Sequence, residues 1–196
     1  MAKVILLQGS PRKNGNTKQF SDCFSDELRQ NGMEIQEVWL YDLNIKPCMA
    51  CKGCQTNPTE MACVLEDDMI ALYGKCLEAD LIVFSTPIYA FFATAPVKAF
   101  MDRFIYASGK YYSGTRIPPL TQGKRCAVLS TAGYSDRYAV AMFTEAVRKM
   151  CRHIGMEYLG SASAQDFGAD HVFMTAEKEE TARAFARTIL QTLPST

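Results

Sequence analysis

The sequence predicts a single α/β domain, 1–196, built as an open three-layer sheet, and three observations carry that expectation. Short β-rich runs alternate with longer amphipathic ones, a pattern that implies parallel strands joined by right-handed crossovers. The run Leu81-Ile82-Val83-Phe84 has no charge, as expected of a strand covered on both faces. The 196 residues suit one domain and hold about five strand–helix units, fewer than a closed barrel needs.

The elements follow in order. Val4 to Leu7 reads as a buried strand ended by Gly9-Ser10-Pro11. Asn16 to Asn31 is predicted helical because Phe20, Phe24 and Leu28 recur four apart. Ile35 to Leu40 alternates as a second strand, and Asp67 to Leu77 has helical spacing. Leu81 to Phe84 is the third strand, closed by Pro87, and Ala95 to Tyr106 is a helix. Cys126 to Ser130 is the fourth strand, and Tyr138 to His153 is a helix stopped by Gly155. Met156 to Ser161 forms a fifth strand, and Ala176 to Leu193 a terminal helix. Two connections are long: Asn44 to Glu66, with four cysteines, and Ala107 to Lys124, rich in Tyr, Gly and Pro. Long loops inside a domain are usually functional or mobile.

Composition narrows the function. Apolar residues make up 48% and charged residues 21%, which excludes a disordered or fibrous chain. Twenty-one basic residues balance twenty-one acidic ones, so no global field draws nucleic acid or an anionic membrane, and neither is expected as a partner. The apolar start, Val4 to Leu7, is too short for a signal peptide. The uncharged stretch Leu81 to Val97 is broken by Ser85, Thr86, Pro87, Thr94 and Pro96, so it reads poorly as a membrane span. Eight cysteines without an export signal then read as thiols, metal ligands or small buried residues, and the expected compartment is cytoplasmic.

The stretch Gly9-Ser10-Pro11-Arg12-Lys13-Asn14-Gly15-Asn16-Thr17 lies between the first strand and the first helix, where backbone N–H groups and the helix dipole favour an anion. Ser10, Asn16 and Thr17 can donate side-chain hydrogen bonds, Arg12 adds charge, and Gly15 allows close backbone approach. The set suits a terminal phosphate monoester. It matches neither the nucleotide P-loop, since Lys18 follows Thr17, nor the G-x-G-x-x-G dinucleotide pattern. The alternative is a polar turn with Ser10 or Asn16 as helix cap.

These residues, with Cys48, Cys51, Cys54 and Cys63 leading into Glu66-Asp67-Asp68-Met69, with Ala79-Asp80-Leu81-Ile82-Val83 through Thr86-Pro87-Ile88-Tyr89, and with Pro96-Val97-Lys98 through Met101-Asp102-Arg103, carry a family resemblance over most of the chain. The sequence resembles the NAD(P)H-dependent FMN reductase group of the flavodoxin-like superfamily, which includes iron-sulfur flavoproteins. The resemblance implies five parallel strands in order 2-1-3-4-5, helices on both faces, and FMN at the switch point. It places the FMN phosphate in the first loop, on Ser10, Arg12, Gly15, Asn16 and Thr17. By position, Pro87, Ile88, Tyr89, Ala90 and Phe91 would line the isoalloxazine, and Thr131, Ala132 and Gly133 would contact its polar edge. Packing in the core is the alternative for Tyr89, Phe91 and Phe92.

The activity so implied is hydride transfer from NAD(P)H to flavin, then electron transfer to a quinone, a nitro or azo compound, another flavin or a metal centre. No catalytic side chain is required, because the chemistry belongs to the cofactor. The other function considered is an electron carrier with FMN and a [4Fe-4S] cluster, acting between protein partners. Cys48-x2-Cys51-x2-Cys54, then Cys63 after an eight-residue gap, supplies four thiols, enough for such a cluster, for zinc, or for a thiol-rich redox loop. Cys23, Cys76, Cys126 and Cys151 are expected to be buried packing residues. His153 and His171 have no catalytic spacing, and Asp102-Arg103 reads as a structural ion pair or a helix-end contact. Relatives of this kind assemble as homodimers or homotetramers, and Ala107 to Lys124, with Tyr106, Tyr111 and Tyr112, is expected to be a lid, a subunit contact or a surface loop.

Overall fold

The computed structural model describes residues 2–111, 117–168 and 171–193. Its strands are β1 Lys3–Gln8, β2 Glu34–Trp39, β3 Leu81–Tyr89, β4 Phe92–Ala93, β5 Arg125–Ala132 and β6 Glu157–Gln165. Its α-helices are α1 Asn16–Gln30, α2 Met69–Glu78, α3 Ala95–Ser108, α4 Ala141–His153 and α5 Ala176–Leu190. Five strands are parallel in the order β2-β1-β3-β5-β6, which is the 2-1-3-4-5 order once the short antiparallel β4 is set aside.

Period-two alternation divides the core into two. On one face Ile5, Leu7, Ile82, Phe84, Cys126 and Val128 pack against α2, α3 and α4. On the other, Val4, Leu6, Leu81, Val83, Ala127 and Leu129 pack against α1 and α5. The central strands are buried on both sides, which accounts for the charge-free β3. Phe84 anchors the first face, its ring 5.8 Å from Phe100 and 6.4 Å from Phe143. Cys76, Cys126 and Cys151 are buried among these residues and Cys23 is partly buried. Among the described residues, no helix is long and apolar enough to cross a membrane.

Beyond β6 running on to Gln165 rather than Ser161 and α5 ending at Leu190 rather than Leu193, three differences from the sequence expectation shape the carboxyl edge. β3 runs through Pro87 to Tyr89 rather than closing there. The carbonyl of Ser85 accepts from Gly9 N at 2.7 Å on the β1 side, and β1 ends one residue earlier. Pro87, two residues on, faces that same vacated side, so its missing N–H leaves no ladder bond unmade. β4 is the second difference, a two-residue return strand too short for periodicity to reveal. The third is the start of the fourth helix, where a π-helical turn over Asp136–Val140 precedes α4.

Gly9 fixes the exit of β1. A Cβ there would stand 2.4 Å from Val97 Cγ2 and 2.9 Å from Thr86 Oγ1, and Thr94 Oγ1 donates to the Gly9 carbonyl at 2.7 Å. The first loop is thereby seated directly on β3 and the start of α3. Gly9→Ala is expected to lower unfolding stability by about 1–3 kcal/mol through overpacking. Urea denaturation with an unchanged midpoint would show that the close approach is not a constraint.

Candidate functional site at the carboxyl edge

The loops that leave β1, β3, β5 and β6 at their carboxyl ends are tied to one another by side chains. Thr17 Oγ1 and Thr131 Oγ1 share a hydrogen bond of 2.7 Å, joining the first loop to the end of β5. Asn16 Nδ2 donates to Asp166 Oδ2 at 2.7 Å, joining it to the loop after β6. The ring of Phe91 meets that of Tyr138 edge-on at 5.4 Å, joining the β3–β4 turn to the π-helical turn after β5. Residues far apart in sequence thus form one continuous rim.

Within the first loop, Ser10 is buried and closes a local turn. Its hydroxyl accepts from Arg12 N at 3.1 Å and donates to Arg12 O at 3.3 Å. α1 starts at Asn16 behind Gly15, with no side-chain cap and no acidic residue in its first turn. The first-turn N–H groups and the positive end of the dipole therefore remain available to an anion. Arg12 folds across this end, and a Cβ on Gly15 would lie 3.0 Å from Arg12 Cβ and 3.2 Å from Arg12 O. Lys13 is turned away, pairing with Asp42 at 2.6 Å and lying over the Trp39 ring at 5.8 Å. Of the two basic residues, Arg12 alone stands at the helix end.

The second loop is a tight hairpin. Tyr89 pairs with Phe92 across Ala90 and Phe91, both left-handed at φ 48° and 66°. This is the two-residue turn that usually takes Asn-Gly, so Ala90 and Phe91 hold a strained conformation that costs about 1–3 kcal/mol per residue. The strain presents Tyr89 and Phe91 at the rim, 47% and 42% exposed. Pro87 is buried and Ile88 half-buried beneath them, whereas Phe92 packs on Phe143 at 5.3 Å and belongs to the core. At the end of β5, Thr131 and Ala132 are buried, and Gly133 just beyond it is exposed; the Ala132 carbonyl accepts from Asp166 N at 2.8 Å. Asp166 holds both Asn16 and Ala132 in place, and no local spacing could have revealed it.

The cysteine loop forms a separate feature. Cys48, Cys51, Cys54 and Cys63 line one cavity of about 100 Å³, together with Tyr73 and Arg103. All eight cysteines are free thiols. Among the described residues no three metal-ligating side chains converge closely enough to hold one ion. A structural zinc ion needs its four Cys or His ligands about 2.0–2.3 Å from a single point. A four-iron cluster takes one thiol per iron and so asks only that four thiols surround a common space.

Polar anchors hold this loop against α3. Gln55 Nε2 donates to the carbonyls of Tyr106 and Gly109, at 2.5 and 3.1 Å. Lys110 Nζ donates to those of Cys54 and Glu60, at 2.8 and 2.7 Å, and burial pushes its pKa down. Asp67 and Arg103 form a fully buried ion pair, while Asp102 pairs instead with Lys98. The expected Asp102–Arg103 pair therefore does not exist: successive helical residues face different directions, so Arg103 points inward and Asp102 outward. Asp67 also accepts from Lys46 N at 2.9 Å and Met69 N at 3.2 Å.

The described parts of the connection between α3 and β5, 109–111 after α3 and 117–124 before β5, lie at the amino edge of the sheet. The expectation of a lid or subunit contact falls in part on 112–116, which lie outside the described residues. The Tyr111 ring lies tilted against that of His153, centroids 4.2 Å apart, and its hydroxyl donates to the His153 carbonyl, while Tyr112 lies outside the described residues.

Residues 2–170 match the model of the NADPH-dependent FMN reductase family, and the chain belongs to that family. An iron-sulfur flavoprotein of Archaeoglobus fulgidus is 32% identical over 143 residues, 67% of this chain and 64% of the relative. The chain thus spans a little under two thirds of that relative. The FMN-dependent NADH-azoreductase of Bacillus anthracis, solved in complex with FMN, superposes with a TM-score of 0.70 at 18% identity, covering 100% of both chains. A flavodoxin from the domain Archaea superposes at 0.57 and 14% identity over 97% of both, and the fold is flavodoxin-like.

Two measurements test this geometry. The double variant Arg12→Ala, Thr17→Ala removes a charged and a neutral donor, and FMN titration should show affinity reduced by at least about a hundredfold; equal affinity would remove the first loop from the site. Asp67 supplies the pH test. Burial pushes its pKa up, but the Arg103 hydrogen bond and charge with the two backbone donors outweigh this and hold it below the ordinary 3.8. The stabilisation is complete above the ordinary value and lost as pH falls through the depressed one. Asp67→Asn should cost about 3–5 kcal/mol at pH 7, and the difference from wild type should shrink in acid. Urea curves that keep a constant difference across that range would contradict the assignment.

Proposed function

We propose that the protein is an FMN-dependent NAD(P)H oxidoreductase that passes electrons from a nicotinamide through bound FMN to a small acceptor: a quinone, a nitro or azo compound, a flavin or a metal centre. The observation that carries this reading is the uncapped, acid-free start of α1 with Arg12 across it, set in the same rim as a strained aromatic hairpin. A polar βα turn alone would give no reason to leave the helix start uncapped or to hold Ala90 and Phe91 left-handed. The family match supports the flavin and the nicotinamide as its partners.

On this reading Ser10, Arg12, Gly15, Asn16 and Thr17 hold the phosphate. Ser10 and Gly15 shape the turn, Arg12 and the helix N–H groups supply charge and donors, and Thr17 is held by Thr131. Pro87, Ile88, Tyr89, Ala90 and Phe91 form the apolar wall for the isoalloxazine, while Thr131, Ala132 and Gly133 meet its polar edge. FMN, when bound, supplies the hydride and electron chemistry. The residues of the chain bind, orient and keep water off; no side chain of the rim is assigned a proton-transfer role. Assembly as a homodimer or homotetramer belongs to this reading, supported by the exposed Phe91, Tyr134, Tyr138 and Met142 beside the rim.

The second reading, an electron-transfer flavoprotein with FMN and a [4Fe-4S] cluster, is favoured by one observation: Cys48, Cys51, Cys54 and Cys63 line a single cavity. Anaerobically purified protein, supplied with FMN and NADH or NADPH, separates the two. Steady turnover with menadione or an azo dye and negligible iron is expected of the reductase. Neither nicotinamide oxidised, with any acceptor, would overturn it.

A further inference from the structure

Arg103 uses only part of its hydrogen-bonding capacity. The residue is 2% exposed, and its Nη1 donates to Asp67 and to the Lys46 carbonyl, the latter at 3.2 Å. Among the described residues its Nε and Nη2 are buried with no acceptor at hydrogen-bond distance, the Tyr73 hydroxyl lying beside them. Tyr73, also 2% exposed, has a buried hydroxyl in the same condition. A tyrosine hydroxyl keeps its proton at neutral pH and is therefore a donor. Both side chains line the cavity that holds the four thiols.

Buried donors without partners are rare and costly, so three of them on one cavity wall mark the position of an absent acceptor. The Asp67 carboxylate already accepts from Arg103, Lys46 N and Met69 N. The cavity's other chemistry is sulfur. Neutral thiols accept hydrogen bonds weakly, whereas thiolates and sulfides bound to iron carry negative charge and accept well.

We propose that Arg103 and Tyr73 are positioning residues that donate hydrogen bonds to the sulfurs of a four-iron cluster held by Cys48, Cys51, Cys54 and Cys63, and that Arg103 sets its reduction potential. The inference rests on the second reading above. On reduction one electron enters, no covalent bond forms or breaks, and one negative charge is added. Hydrogen bonds from Arg103 and Tyr73 then favour the reduced form, because they strengthen as the sulfurs become more negative.

The test uses the full chain, reconstituted anaerobically with iron and sulfide and titrated with dithionite while its paramagnetic signal is followed. Arg103→Lys keeps the charge and the pairing with Asp67 but removes the forked donors; Tyr73→Phe removes one oxygen and keeps the packing. Arg103→Lys should shift the one-electron equilibrium about tenfold toward the oxidised form, a midpoint about 59 mV more negative. Tyr73→Phe should shift it about threefold in the same direction, and this variant decides the case if Arg103→Lys does not fold. About four irons per chain with midpoints unchanged in folded variants would overturn the roles of Arg103 and Tyr73 and leave the cluster standing. Wild type that takes up no iron or sulfide would overturn both.

Discussion

The constraint on which the rest depends is the parallel register of the five long strands. Parallel pairing sends every β-to-α connection out at the carboxyl edge, and the right-handed crossovers place α1 and α5 on one face and α2, α3 and α4 on the other. Because β1 and β3 are neighbours while their helices lie on opposite faces, a cleft opens above them at the switch in strand order. The polar residues follow from the same constraint. Where the sheet outruns its helices the alternating pattern continues in hydrophilic form, with Gln8, Ser85 and Thr131 facing the α1 side. The apolar core therefore gives way to donors at the level where a phosphate would sit.

A second, local constraint governs the cysteine loop. Apart from a short 3-10 turn over Gly53–Gln55, the chain between Asp42 and Met69 has no regular structure of its own, so its position comes from side chains that reach it from α3 and beyond. Asp67 with Arg103 fixes its end, while Gln55 and Lys110 fix its middle. A buried ion pair of this kind adds little net stability compared with an apolar pair, yet breaking it is costly. Its value here is geometric: it sets where four thiols stand relative to α2 and α3. Left-handed Ala50 and Lys52, at φ 54° and 60°, turn the backbone sharply between the first three cysteines.

Much of this was legible in the sequence, and the reasons are physical. Strands buried on both faces announce themselves as charge-free runs, and helices with Phe20, Phe24 and Leu28 four apart announce themselves by period, so element order could be read, whereas the strand order came only from the family resemblance. Pro87 misled because local sequence cannot say that a neighbouring strand has already ended. The hairpin at Ala90 and Phe91 lacks glycine or asparagine, so its turn carried no compositional mark. Asp166 and the true partner of Arg103 were invisible for a different reason: they act across 150 and 36 positions, and only the fold brings the groups together, as it brings Tyr73 to the cysteine cavity. The first-loop residues were found because anion binding at a helix start is local chemistry.

The central claim is that the carboxyl-edge rim recognises a flavin by its phosphate as well as its ring. Binding of FMN and of riboflavin, followed by quenching of flavin fluorescence, tests it most directly, since the two ligands differ only in the phosphate. The account predicts FMN bound at least about a hundredfold more tightly, the worth of two charge-assisted hydrogen bonds at a helix start. Equal affinity, or no binding of either ligand, would contradict it.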